Sequence, residues 1–71
     1  MTENIYSEIS ARVFNIVVSK DDPVNSGDTL MLIESMKMEI PILAEISGTI
    51  LELNVYEGDI ISSGDLVAKI A

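Results

Sequence analysis

The chain has 71 residues, with 12 acidic side chains against 4 basic ones, a net charge of -8, and no cysteine, histidine or tryptophan. That length allows one domain, and the missing residue types exclude a disulfide framework, thiolate chemistry, a Ser-His-Asp relay and the usual zinc sites. Four bases cannot track a phosphate backbone and the net charge opposes an anionic bilayer, so no nucleic-acid or membrane partner is expected. Hydrophobic residues make up 48% of the chain, too many for a disordered acidic tail. A soluble, cytoplasmic protein that is not an enzyme in its own right is the expectation, because so small a chain offers neither a deep cleft nor the usual catalytic side chains.

The strongest organising signal is internal. Residues 8–33, EISARVFNIVVSKDDPVNSGDTLMLI, lie over residues 45–70, EISGTILELNVYEGDIISSGDLVAKI, at an offset of 37 with no gap. Nine of the 26 pairs are identical, including Val18/Val55, Asp22/Asp59, Gly27/Gly64 and Asp28/Asp65. In chain order, Phe14, Ile16 and Val18 alternate with more polar neighbours and predict a first strand with those three side chains in the core. Pro23 argues against a central strand at that point. Asn25-Ser26-Gly27-Asp28 has the composition of a turn, with glycine free to take a positive φ, and Leu30 to Ile33 follow as a short apolar strand.

Residues 34–44, ESMKMEIPILA, have no counterpart in either repeat, and a function grafted on the scaffold would sit there. Met31 to Ser35 and Glu39 to Ile42 read as the arms of a hairpin turning at Met36-Lys37. That turn lacks the glycine, asparagine or aspartate its geometry favours, so turn propensity is not what these residues supply. A solvated lysine on a turn is the plain reading of Lys37, and core packing is the plain reading of Met36 and Met38. The alternative is an amine held out between two flexible apolar side chains, with Glu34 and Glu39 available for recognition or solubility.

Beyond the hairpin the pattern repeats. Leu51, Leu53 and Val55 predict a strand facing the same core as the first trio, Ser62-Ser63-Gly64-Asp65 a second turn, and Leu66 to Ile70 a closing strand. The 11 isoleucines and 6 valines favour strands throughout. Two similar halves of about four short strands, neither able to bury its apolar face alone, predict an all-β flattened barrel or sandwich of two four-stranded antiparallel sheets with pseudo-two-fold symmetry. Exchange of halves between two chains is compatible with the same pattern.

ESMKMEIPI resembles the attachment motif of biotinyl domains of the biotin carboxyl carrier type, and the likeness extends through nearly the whole chain. V-x-x-x-D-x-V-x-x-G-D-x-L precedes the motif and G-T-I-L-E-L-x-V-x-x-G-D-x-I-x-x-G-D-L-V-x-x-I follows it. The resemblance implies a barrel-sandwich hybrid with the lysine on a tight hairpin. It makes Lys37 the residue that carries biotin on its ε-amine and makes Met36, Met38, Glu34 and Glu39 the motif that a biotin protein ligase reads. It assigns Gly27, Gly48, Gly58 and Gly64 to turn glycines. The chain departs from the family pattern in having Ala44-Glu45 after the hairpin, where Ala-Pro is usual, and Ala11 and Asp21 where glycine is frequent. Aspartate tolerates left-handed backbone and alanine does so poorly.

The implied role is that of a carrier worked on by others, with biotin moving a carboxyl group from a biotin carboxylase to a carboxyltransferase. It contributes no catalytic residue and no metal. Lipoyl domains share the fold, so lipoate on Lys37 is the alternative, although Asp-Lys-Ala is the usual motif there. An unmodified β adaptor is a lesser alternative. A free-standing attachment protein and a domain of a larger carboxylase, such as acetyl-CoA carboxylase, both fit the pattern.

Overall fold

The computed structural model describes residues 2–71, which form eight strands: β1 (Glu3–Tyr6), β2 (Ala11–Ile16), β3 (Pro23–Val24), β4 (Thr29–Ser35), β5 (Met38–Leu43), β6 (Gly48–Leu53), β7 (Ile60–Ile61) and β8 (Leu66–Ile70). They make two antiparallel four-stranded sheets, ordered β1-β8-β6-β3 and β5-β4-β2-β7. This is the all-β double sheet that the strand pattern predicts. Pro23 and Pro41 both lie in edge strands, where a missing backbone N–H costs no ladder bond.

Pairing registers relate the two sheets by the same offset of 37. Val13 pairs with Ile33 as Ile50 pairs with Ile70, and Ala11 pairs with Ile61 as Gly48 pairs with Val24. The offset also reaches β1 and β5: Ile5 opposes Ala68 as Ile42 opposes Met31. Residues 40–43 of β5 therefore hold the place in one sheet that residues 3–6 hold in the other. Only Ile5/Ile42 is an identity among those four pairs, which is why the sequence leaves the whole of 34–44 without a counterpart.

Four turns of one design close the corners. In segments 19–22, 25–28, 56–59 and 62–65 the fourth residue is aspartate, and its Oδ2 accepts the backbone N–H of the first residue at 2.8–2.9 Å. The same aspartate's own N–H donates to the first residue's carbonyl. These bonds explain why Asp22/Asp59 and Asp28/Asp65 are identities. The third residue of each turn has positive φ: Asp21 at 75°, Gly27 at 94°, Gly58 at 95° and Gly64 at 92°. Aspartate thus does hold a left-handed position at Asp21, whereas Ala11 lies in extended backbone at the start of β2 and carries no such strain.

A methyl group added at Gly58 would meet open space, so Gly58→Ala isolates the conformational cost. It should destabilise by about 1–2 kcal/mol in urea unfolding, and Gly58→Asp by less, because Asp21 occupies the equivalent place in the other half. Gly48 differs from the other glycines. It opens β6 without positive φ, and its role is close approach: a Cβ there would come within 2.8 Å of the Ala71 carbonyl carbon. It is not a turn glycine in this structure.

The core lies between the sheets, and its phase differs from simple alternation. Val13 and Ile50 are fully buried, while Phe14 is 47% and Leu51 38% exposed. Register shifts between Val13 and Asn15, and between Ile50 and Glu52, are the cause. Each bulge places two residues opposite one, so Phe14 and Leu51 turn outward and only Ile16, Val18, Leu53 and Val55 of the two expected trios reach the core. Leu30, Met31, Ile33, Val67, Ala68 and Ile70 complete it from the two central strands β4 and β8.

Candidate functional site

The hairpin joining β4 to β5 is the shortest that antiparallel strands allow. Ser35 pairs with Met38, leaving Met36 and Lys37 as a two-residue loop with φ of 53° and 66°. Positive φ at both central residues is the signature of a type I′ turn, which matches the twist of the flanking strands. Asn-Gly would adopt it at least cost. Two long side chains held there in left-handed backbone are uncommon, and such strain persists where the surrounding ladder over-determines it. Here five successive pairs, from Met31/Ile42 to Ser35/Met38, and a sixth, Thr29/Leu43, beyond a bulge fix the arms.

Met36 is 91% and Met38 64% exposed, in contrast to Met31 of β4, which is fully buried. Packing therefore does not account for the two flanking methionines. Lys37 is exposed between them, and among the described residues its amine makes no ion pair or side-chain hydrogen bond. The site consists of a primary amine at the far end of a paired two-stranded arm, flanked by two exposed thioether side chains.

Glu34 and Glu39 face each other across the ladder one pair below the Ser35/Met38 closure. Like charges in directly opposed positions repel. Arg12, in register with Glu34 on the other side, donates from Nη2 to Glu34 Oε1 at 3.1 Å and offsets part of that repulsion. Arg12 is a member of the site's charge row that sequence reasoning did not single out. The signal available was its being one of only four bases, at a position where the second half has Thr49.

A groove of about 370 Å³ runs between edge strands β1 and β5, lined by Ile5, Tyr6, Ile33, Ile40, Ile42 and Leu43 among others. None of the residues 34–39 lines it. Among the described residues no group of three or more acidic side chains is arranged to hold a metal ion. The arrangement at Lys37 can present a nucleophile to another protein's pocket.

Comparison with known proteins bears on the same hairpin. A biotin/lipoyl family model described as "Biotin-requiring enzyme" matches residues 4–70. The chain is 48% identical over 71 residues to the biotinylated protein TB7.3 homolog of Mycobacterium leprae (strain TN), covering all of both chains. It is 33% identical over 64 residues to the biotin/lipoyl attachment protein of Bacillus subtilis (strain 168), covering 90% of this chain and 88% of that one. The crystal structure of Kluyveromyces lactis urea carboxylase contains a segment that superposes on 100% of this chain with a TM-score of 0.94 at 37% identity, and the match spans 6% of that much longer polypeptide. With a family model matched over nearly its whole length, this chain belongs to the biotin/lipoyl attachment family and is a non-catalytic attachment module.

Proposed function

We propose that Lys37 is biotinylated by a biotin protein ligase and that the chain serves as a biotin carboxyl carrier. The observation that carries this reading is the type I′ turn at Met36-Lys37, in which two residues poorly suited to left-handed backbone are held exposed at the tip of the hairpin. The chemistry of the donor set fits: acylation needs an accessible primary amine and space around it, and both are present.

The chain's own residues bind, orient and extend. The β4–β5 ladder, closed at Ser35/Met38, sets where the Lys37 side chain leaves the domain. Met36 and Met38 offer flexible apolar contact on either side of the amine, suited to a ligase pocket and to an apolar ring system. Glu34 and Glu39 set a negative collar below the tip. Biotin attached there supplies transfer of a carboxyl group between a biotin carboxylase and a carboxyltransferase, and tethering raises its effective concentration at each.

Lipoate is the second reading, favoured by the likeness to a protein described as a biotin/lipoyl attachment protein. Intact mass separates the two. The unmodified chain, incubated with ATP and either biotin with a biotin protein ligase or lipoate with a lipoate ligase, should gain one biotinyl group and no lipoyl group. A lipoyl adduct alone, or no adduct, would reject the biotin assignment.

A further inference from the structure

The two outer faces of this sandwich occupy equivalent positions and have different chemistry. On the outer face of the sheet that carries Lys37, the apolar residues Ile60, Phe14, Val17, Leu32 and Pro41 are exposed or half-buried, beside Arg12, Asn15, Glu34 and Glu39 on the same face. The counterparts of those five apolar residues at the offset of 37 on the other sheet are Pro23, Leu51, Asn54, Lys69 and Asn4. Both faces answer to the same backbone, bulges and core. Phe14/Leu51 and Ile60/Pro23 are apolar on both faces, whereas Val17, Leu32 and Pro41 have Asn54, Lys69 and Asn4 as counterparts, so folding does not demand an apolar residue at those three positions.

The patch is continuous with the hairpin. Ile60, Arg12, Glu34 and Glu39 lie in one row across β7, β2, β4 and β5, and Glu39 follows Lys37 by two residues. At about 4.8 Å per strand the row spans roughly 14 Å. A specific protein complex covers about 800 Å² on each partner, roughly a fifth of this chain's 4388 Å² of accessible surface. A two-residue turn cannot supply that area, so an enzyme seated on Lys37 must also cover one flank of the domain.

We infer that the outer face of β5-β4-β2-β7, centred on Phe14, Val17 and Ile60, is the surface on which the ligase that modifies Lys37 docks. The matching ligase surface is apolar at its centre and rimmed mainly with lysine and arginine, because the patch is bordered by Glu39, Glu57, Asp59 and the Arg12-paired Glu34 on a chain of net charge -8. A second copy is a poor occupant, since two such chains repel. The inference rests on the attachment reading above.

The test is the steady-state kinetics of biotin incorporation by a purified biotin protein ligase with ATP, varying the carrier chain. Val17→Asn combined with Ile60→Ser should raise KM tenfold or more with kcat unchanged, because neither residue touches the turn. Leu51→Asn, the equivalent position to Phe14 on the opposite face, should leave both constants unchanged. Lys37→Arg, which offers the face without the acceptor, should inhibit modification of the wild-type chain competitively, and adding Val17→Asn and Ile60→Ser to it should remove that inhibition. Equal KM values for all variants, a loss in kcat alone, an equal effect of Leu51→Asn, or a dimer in sedimentation that the Val17/Ile60 changes dissolve would each overturn the docking face while leaving attachment intact. No adduct on the wild-type chain would remove both readings together.

Discussion

Lys37→Arg should abolish the adduct completely, with the intact mass of the variant unchanged after incubation with ligase, biotin and ATP while the wild-type chain gains one group. Arginine keeps the length and charge of the side chain but its guanidinium is a poor acyl acceptor, so the change removes the chemistry without altering the charge balance. The chain's other lysines, Lys20 and Lys69, provide the internal control. Lys69 is held by Glu52 at 3.6 Å on a central strand, and Lys20 sits in the 19–22 corner turn, outside the two-residue tip of the β4–β5 hairpin. Modification of the variant at either one would refute the claim that presentation by the turn selects the acceptor. A companion change sharpens the point. Met36→Asn with Lys37→Gly supplies the residues a type I′ turn favours and should raise stability by roughly 1 kcal/mol while leaving no acceptor at all. A gain in stability with total loss of modification would locate strain and function in the same two residues.

That coupling explains what could be read from the sequence at the site and what could not. The absence of glycine, asparagine and aspartate at Met36-Lys37 marked the turn as one chosen for its side chains, and the structure finds both residues in left-handed backbone. Core packing was the plain reading of Met36 and Met38, and the structure favours the alternative, with both side chains exposed at the hairpin tip. Arg12 was not legible, because its link to Glu34 spans 22 positions and depends on the register of two strands, which no local pattern encodes. The asymmetry between the two outer faces was hidden for a related reason. It becomes visible only when exposed positions are paired through the offset of 37, and exposure on β2 cannot be assigned until its bulge is known.

The fold was legible to a similar depth. The identities Asp22/Asp59, Gly27/Gly64 and Asp28/Asp65 are the turn residues themselves, whose hydrogen bonds and φ values tolerate few substitutes. β1 and β5 are equivalent in pairing and nearly unrelated in sequence, because an edge strand constrains backbone position more than side-chain identity. The core phase was where periodicity misled. Strict alternation puts Phe14 and Leu51 inside, and one extra residue in each strand reverses the order, so that Val13 and Ile50 are the buried ones.

Ile50→Ala should therefore cost about 2–5 kcal/mol, and its neighbour Leu51→Ala about 1 kcal/mol or less, a contrast that alternation alone would invert. Ile50 has no accessible surface, pairs with Ile70 and sits among the apolar residues of both sheets, so truncation there loses the transfer free energy of the side chain and leaves a cavity. Leu51 lies on the outer face beside Glu52 and is already 38% exposed, so its truncation leaves no enclosed cavity. For a 71-residue domain the total stability is about 4–11 kcal/mol, so the first change removes a large fraction and the second little. At about 4–8 °C per kcal/mol for domains of this size, thermal unfolding resolves the difference easily. Val13→Ala and Phe14→Ala in the first half should repeat the ordering, with smaller amplitude at Val13 because valine loses fewer methyl groups. Equal losses at Ile50 and Leu51 would mean that the bulge does not set the inside and outside of β6. The polar and apolar outer faces compared above would then be misassigned with it.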